Sequence, residues 1–343
     1  MLPDPSRAHA GAAPVPGAPS VTRRAAASRR NRRVLATLAL LLVAATVAFM
    51  TLQARGAWDF VLPFRGVRLA ALLLVAYAVA VSTVLFQTVT DNRILTPSIM
   101  GFDSLYVLIQ TVLVFTLGSA RLAGVDPRLA FVVETLLMVA LAGLLFRWLF
   151  TGARRSLHLL LLVGVVLGVL FTSLSRMMHR LMDPNEFAVL QDALFASFNA
   201  VDPTLLGAAT LLVAGASAVA WRVRHDLDVL LLGRQTAIGL GVDHARVVTT
   251  VLVVVAVLVS VSTALVGPVT FFGLLVVSVA YQLAAGHQHR VVVPVAVLVA
   301  AVCLIGGQTV LERVFALNTA LSVIIEFVGG LVFIALLLRG SRR

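Results

Sequence analysis

Residues 247–266 read VVTTVLVVVAVLVSVSTALV. This run carries no charge and is as long as the roughly 20 residues that an α-helix needs to cross the hydrocarbon core of a bilayer. Comparable runs recur along the chain, so a single buried core does not account for them. Composition agrees: the 343 residues are 60% hydrophobic and 12% charged, against roughly 45–50% and about 25% in soluble domains. The mean hydropathy is +1.02. The sequence predicts an all-α integral membrane protein.

Working outward from 247–266, the same length criterion gives ten candidate spans, near 34–52, 67–87, 98–117, 129–150, 157–176, 204–221, 247–266, 269–285, 291–306 and 321–338. The eighth and ninth are short. Residues 1–33 are rich in Ala, Pro, Gly, Ser and Arg, and are expected to form a disordered basic tail. The apolar run from Val34 to Leu52 is longer than the core of a usual signal peptide, so it is expected to stay as the first span. Residues 34–343 then form a single transmembrane domain.

The formal net charge of +12 comes from 27 basic residues, all arginine. They lie at the termini and between apolar runs, which argues against nucleic acid as a partner. With an even number of spans both termini share a side. That side receives the N-terminal cluster, Arg93, Arg147, Arg154, Arg155, Arg222, Arg224, Arg234, Arg246, Arg290, Arg339, Arg342 and Arg343. The other receives Arg55, Arg65, Arg68, Arg121, Arg128, Arg176, Arg180 and Arg313. The arginine excess predicts cytoplasmic termini in a cytoplasmic membrane. Without lysine there is no P-loop of the form GxxxxGK[ST], no Schiff base and no catalytic lysine. Cys303 is the only cysteine, which excludes an internal disulfide and cysteine-rich metal sites. No nucleophile, base and oxyanion arrangement suggests an enzyme. His287 and His289 are two apart, a poor spacing for one helix face, and their stretch reads as a loop. No metal site is expected.

Two connections are long. Residues 177–203 fall outside the cell. Residues 222–246 (RVRHDLDVLLLGRQTAIGLGVDHAR) fall inside, too polar to span, and fit short helices at the membrane surface. Within them Leu232-Gly233-Arg234-Gln235-Thr236-Ala237-Ile238-Gly239-Leu240-Gly241-Val242 resembles the LGxxxAxxLGV stretch of the FecCD-type permeases, the membrane subunits of ABC importers for ferric siderophores, haem and cobalamin. Three more stretches match in the same order. Asn92-Arg93-Ile94-Leu95-Thr96-Pro97-Ser98-Ile99-Met100-Gly101 resembles NPLAxPxxLG. Gly267-Pro268-Val269-Thr270-Phe271-Phe272-Gly273-Leu274 resembles GPIxFVGL. Gly286-His287-Gln288-His289-Arg290 with Pro294 resembles GxDHRxxxP. The sequence departs from the family's GLIVPH at Val277-Ser278 and from its ELPxG at Asn318-Thr319-Ala320-Leu321-Ser322. The stretches LTPSIMGFDSLY, MDPNEF, FASFN and NTALSVIIEFVGG resemble the subgroup that carries catecholate-type siderophores such as enterobactin and petrobactin.

The resemblance implies a type II ABC importer permease fold and a ferric siderophore of the catecholate type as cargo, with no cofactor bound by this chain and ATP used by a partner ATPase. 

It also implies three partners beside the lipid bilayer: the ATPase, an extracytoplasmic siderophore-binding protein, and a second permease subunit, identical or related. Gly233, Arg234, Gln235, Thr236, Ala237, Leu240 and Gly241 would form the element that couples to the ATPase. Arg65, Arg68 and Arg313 would dock acidic residues of the binding protein; the competing reading is interfacial snorkelling. Thr96, Pro97, Ser98, Gly101, Asp103, Gly267, Pro268, Phe272 and Gly273 open spans in corresponding places of the two halves. Interrupted segments of this kind hint at an inverted repeat around a translocation path. Asp103, Glu134 and Glu326 lie in or near apolar spans, where pairing with a neighbouring span competes with contact to cargo. The alternatives are the same machine with haem or cobalamin as cargo, an ATP-independent secondary transporter, and a structural membrane protein. A bulky charged residue in place of Ala237 is expected to abolish uptake while leaving the protein in the membrane, which transport assays beside membrane immunoblots would measure.

Overall fold

The computed structural model describes residues 21–52, 58–150, 157–198 and 201–313, with isolated residues between 321 and 334. Among these there is no strand. The elements run α1 (Val21–Thr51), α2 (Trp58–Thr90), a 3-10 turn (Ser98–Met100), α3 (Phe102–Leu117), α4 (Ser119–Leu122), α5 (Pro127–Phe150), α6 (Leu157–Leu181), α7 (Pro184–Leu194), α8 (Pro203–Arg222), α9 (Arg224–Leu230), α10 (Arg234–Gly239), α11 (His244–Val266), α12 (Phe272–Leu283) and α13 (His289–Arg313). Several helix starts are written in the sequence. Asp126-Pro127, Asp183-Pro184 and Asp202-Pro203 each place a side-chain acceptor just before a proline that needs no donor partner. Asp183 accepts from the Asn185 amide at 2.8 Å, and Asp202 accepts from the Thr204 amide at 2.7 Å. The hydrogen bonds from the Thr204 hydroxyl and backbone hold the Asp202 carboxyl below its usual pKa.

Seven helices among the described residues are long and apolar enough to cross a membrane: α1, α2, α5, α6, α8, α11 and α13. Two of the ten expected spans, 98–117 and 269–285, instead hold the shorter helices α3 and α12. Each is shortened at its start by an irregular stretch, Asn92–Gly101 before α3 and Gly267–Phe271 before α12. Pro97 and Pro268 have no backbone N–H to give a helical ladder. The last expected span lies largely outside the described residues, as do Glu326 and the Asn318-Thr319-Ala320 stretch; the residues described between 321 and 334 are helical. The N-terminal tail also differs from expectation. Residues 1–20 lie outside the described residues, but α1 begins at Val21 rather than Val34. Alanine and arginine are strong helix formers, and the added turns find partners. Arg30 donates to the Gln282 and Leu283 carbonyls at the end of α12, at 3.1 and 3.3 Å. Asn31 exchanges two hydrogen bonds with the Ala285 backbone, at 3.1 and 2.7 Å.

The centre of the bundle is the contact between α2 and α11. In their apolar windows 67% and 72% of residues are buried, against 11% in α8 and 17% in α6. The short helices reach this pair: α3 packs chiefly on α6 and also touches α11, and α12 packs chiefly on α13 and also on α2. The next long helices reach it too, with α5 on α11 and α13 on α2. The outer helices are built inside out relative to a soluble protein. On α6, Leu162, Val166, Val169 and Leu170 are exposed, while Gly164 and Gly168 face the 3-10 turn. Four-residue spacing of glycines lets backbones approach closely in lipid, where apolar surface gives no drive to associate.

Gly101 sits at that contact with φ +94°, and a Cβ there would lie 2.9 Å from Gly168 Cα. Both the left-handed backbone and the backbone-to-backbone contact exclude a side chain. Gly101→Val is therefore expected to destabilise the detergent-purified protein by about 2 kcal/mol or more, read as a lower melting temperature. Gly207→Ala, where an added Cβ meets nothing within 4 Å, should leave the melting temperature nearly unchanged.

Candidate functional site

The two irregular stretches meet. Thr96, Pro97 and Ser98 from the first and Gly267 from the second, with Asp103 at the start of α3 and Gly273 at the start of α12, line one cavity between α2 and α11. Six of the nine residues expected on a path are thus brought together. The other three lie elsewhere. Gly101 packs on α6, Phe272 is buried in the core at 1% exposure, and Pro268 is half-buried beside the cavity residue Gly267.

The long helices complete the cavity with residues that sequence reasoning missed. Ser82 and Thr83 come from α2, and Ser262 and Thr263 from α11. The Ser82 hydroxyl donates to the Val79 carbonyl at 3.1 Å, and the Ser262 hydroxyl donates to the Val259 carbonyl at 3.0 Å. Their protons are used within their own helices, so oxygen lone pairs remain for the cavity. A signal existed: Val81-Ser82-Thr83 and Val261-Ser262-Thr263 repeat the same three residues in the two central helices. Gly273 is where α12 crosses α2, and a Cβ there would overlap Thr83 Oγ1. Phe271, at the same junction, is a non-glycine residue with φ +59° and is 43% exposed. The cavity encloses about 20 Å³, room for about one water.

A second group of expected residues lies at the end of the bundle that carries Arg30. There α10 packs on α9 and α11. Gly233 and Gly241 bracket it with φ of +91° and +86°. Arg234, Gln235, Thr236 and Leu240 are exposed, whereas Ala237 is fully buried. The small side chain of Ala237 therefore serves the seat of α10 on its own chain. Around it Leu232 (59%), Ile238 (48%) and Leu240 (62%) are exposed, although they lie outside the apolar spans.

The third group lies at the opposite end. Arg65, on α2, donates to the Phe49, Met50 and Leu52 carbonyls at 2.9, 2.9 and 3.1 Å, closing the end of α1. Arg68 is 3.6 Å from Glu312 and Arg313 is 3.9 Å from the same carboxylate. Gln308 donates to Glu312 at 3.0 Å. The three expected arginines do cluster, but around Glu312, which sequence reasoning did not single out, and each has a partner in its own chain. Away from these groups, Glu134 on α5 hydrogen-bonds Gln110 on α3, a pairing between spans. His289 is not in a loop: it opens α13 and is buried.

Comparison with known proteins matches residues 33–339 to the FecCD transport family. The chain is 45% identical over 313 residues to the petrobactin import system permease protein YclO of Bacillus subtilis (strain 168), covering 91% of this chain and 99% of that protein. It is 28% identical over 291 residues to the ferric enterobactin transport system permease protein FepD of Escherichia coli (strain K12), covering 82% and 83% of the two chains. The fold is similar to a solved inward-facing structure described as a metal-chelate type ABC transporter, with a TM-score of 0.78, 22% identity, and 90% and 99% of the two chains covered. The fold is thus shared with a solved structure along nearly the whole chain, and the chain belongs to the FecCD transport family.

Proposed function

We propose that this chain is the permease subunit of an ABC importer that carries a ferric siderophore of the catecholate class across the cytoplasmic membrane. The observation that carries the cargo class is the likeness to a petrobactin permease along nearly its whole length. The Arg30 end, which gathers the larger set of arginines, faces the cytoplasm by the positive-inside rule. The Arg65 end then faces the binding protein, which meets a patch of three arginines and one glutamate.

The division of labour follows from the chain's own chemistry. It has no lysine for a P-loop, so the work of ATP hydrolysis enters mechanically from a separate ATPase. The exposed Leu232, Ile238 and Leu240 beside α10 form an apolar patch on the water side of the membrane, the kind of surface that marks a protein interface. A pocket for a drug-sized ligand takes roughly 300–1,000 Å³, far more than the 20 Å³ enclosed here. A siderophore therefore passes only after a large opening of this junction or beside it, along a surface shared with a second permease subunit. At the hydroxyl-lined break between α2, α3, α11 and α12 such movement costs fewer backbone hydrogen bonds than it would within a continuous helix.

Cells lacking the gene should lose uptake of radio-iron-labelled petrobactin and regain it on complementation, with little change for a hydroxamate siderophore. Uptake that survives vanadate and collapses with an uncoupler would instead identify a secondary transporter. Leu240→Asp should weaken co-purification of the ATPase by about tenfold while the permease stays in the membrane. Undiminished co-purification would remove α10 from the interface.

A further inference from the structure

Three polar residues from three elements meet outside both the cavity and α10. His289, the first residue of α13, is 7% exposed. Its Nδ1 lies 2.6 Å from Asp228 Oδ1 on α9, and its backbone N–H donates to the same oxygen at 3.1 Å. Its Nε2 lies 2.8 Å from Thr88 Oγ1 on α2. One imidazole thus joins α9 to α2 and α13.

The placement of α9 gives that junction its meaning. On one side α9 packs on α10; on the other it packs on α2, α11 and α13. Leu227 and Leu230 are buried at 2% and 8% exposure, so apolar packing already holds α9 against the bundle. The polar junction adds a fixed register, because a hydrogen bond tolerates little sliding. The loop before His289 has little slack. Asn31 holds Ala285, and Arg93 stacks 4.8 Å from the Tyr281 ring and reaches His287 Nδ1 at 3.5 Å. Thr88 stands five residues beyond Thr83, roughly 7.5 Å along the same helix, and Thr83 lines the cavity.

We propose that His289 is a positioning residue for transport: through Asp228 and Thr88 it locks α9 to α13 and α2, so that displacement of α10 is delivered to the cavity wall at Ser82 and Thr83. The inference rests on the ATP-driven reading above. Loss of the junction leaves α9 seated by Leu227 and Leu230 but lets it slip, and hydrolysis is then spent without transport.

The test uses the complete transporter, purified with its ATPase and binding protein, reconstituted in liposomes and supplied with radio-iron-labelled petrobactin. The readout is ATP hydrolysed per siderophore imported. Thr88→Val keeps the side-chain volume and removes the hydroxyl; Thr88→Ser keeps the hydroxyl; Asp228→Asn removes the carboxylate charge. The ratio should rise about fivefold or more in Thr88→Val and Asp228→Asn, and Thr88→Ser should restore it. The double variant should be no worse than either single one, because both cut the same link. Uptake and hydrolysis that fall in parallel, with an unchanged ratio in Thr88→Val, overturn the proposal and leave the junction a purely structural one. A wild-type complex that imports no petrobactin overturns the proposed function itself, a result distinguishable from the first because it precedes any substitution.

Discussion

Lipid offers no hydrogen bonds, so every break in a helix at membrane depth must be enclosed by protein. That constraint orders this structure. Among the described residues there are two such breaks, before α3 and before α12, and both line the cavity between α2 and α11. The central helices are the most buried because they shelter the irregular backbone. The outer helices can then be almost uniformly apolar, with leucine and valine turned outward and, on α6, glycine turned inward.

The same constraint decides what was legible in the sequence. Long apolar runs had to be there, and they mark the seven long helices together with α3 and α12. The family motifs mark the breaks and α10, because glycine and proline at fixed places are what a broken span requires. Hydropathy does not mark the hydroxyls of Ser82, Thr83, Ser262 and Thr263, since each sits inside a run made chiefly of alanine, valine and leucine. A serine in a helix can give its proton to a carbonyl of the preceding turn, so it costs the span little. Only the repeated Val-Ser-Thr betrays it.

Pairings across the chain were less legible. Asp228 and His289 are separated by 61 residues, and nothing in either local stretch names the other. The motif around His289 reads as a loop, whereas the acceptor on α9 and the hydroxyl on α2 hold it in place as the start of α13. Glu312 was hidden in the same way at the opposite end, where it gathers Arg68 and Arg313. The onset of α1 was missed because the length criterion sees only the part of a helix that needs lipid, while Arg30 and Asn31 extend it through contacts in water.

The packing of helices from each half on the central helix of the other bears on how such a chain can be divided. Severed in the connection between α6 and α8, each piece would keep its short helix on a partner of its own half, α3 on α6 and α12 on α13. The N-terminal piece would lose α11 from beside α5, and the C-terminal piece would lose α2 from beside α13. The two pieces would thus retain helix pairs yet bare the faces of α2 and α11 that the other half covers, and recombining them means re-forming that one seam.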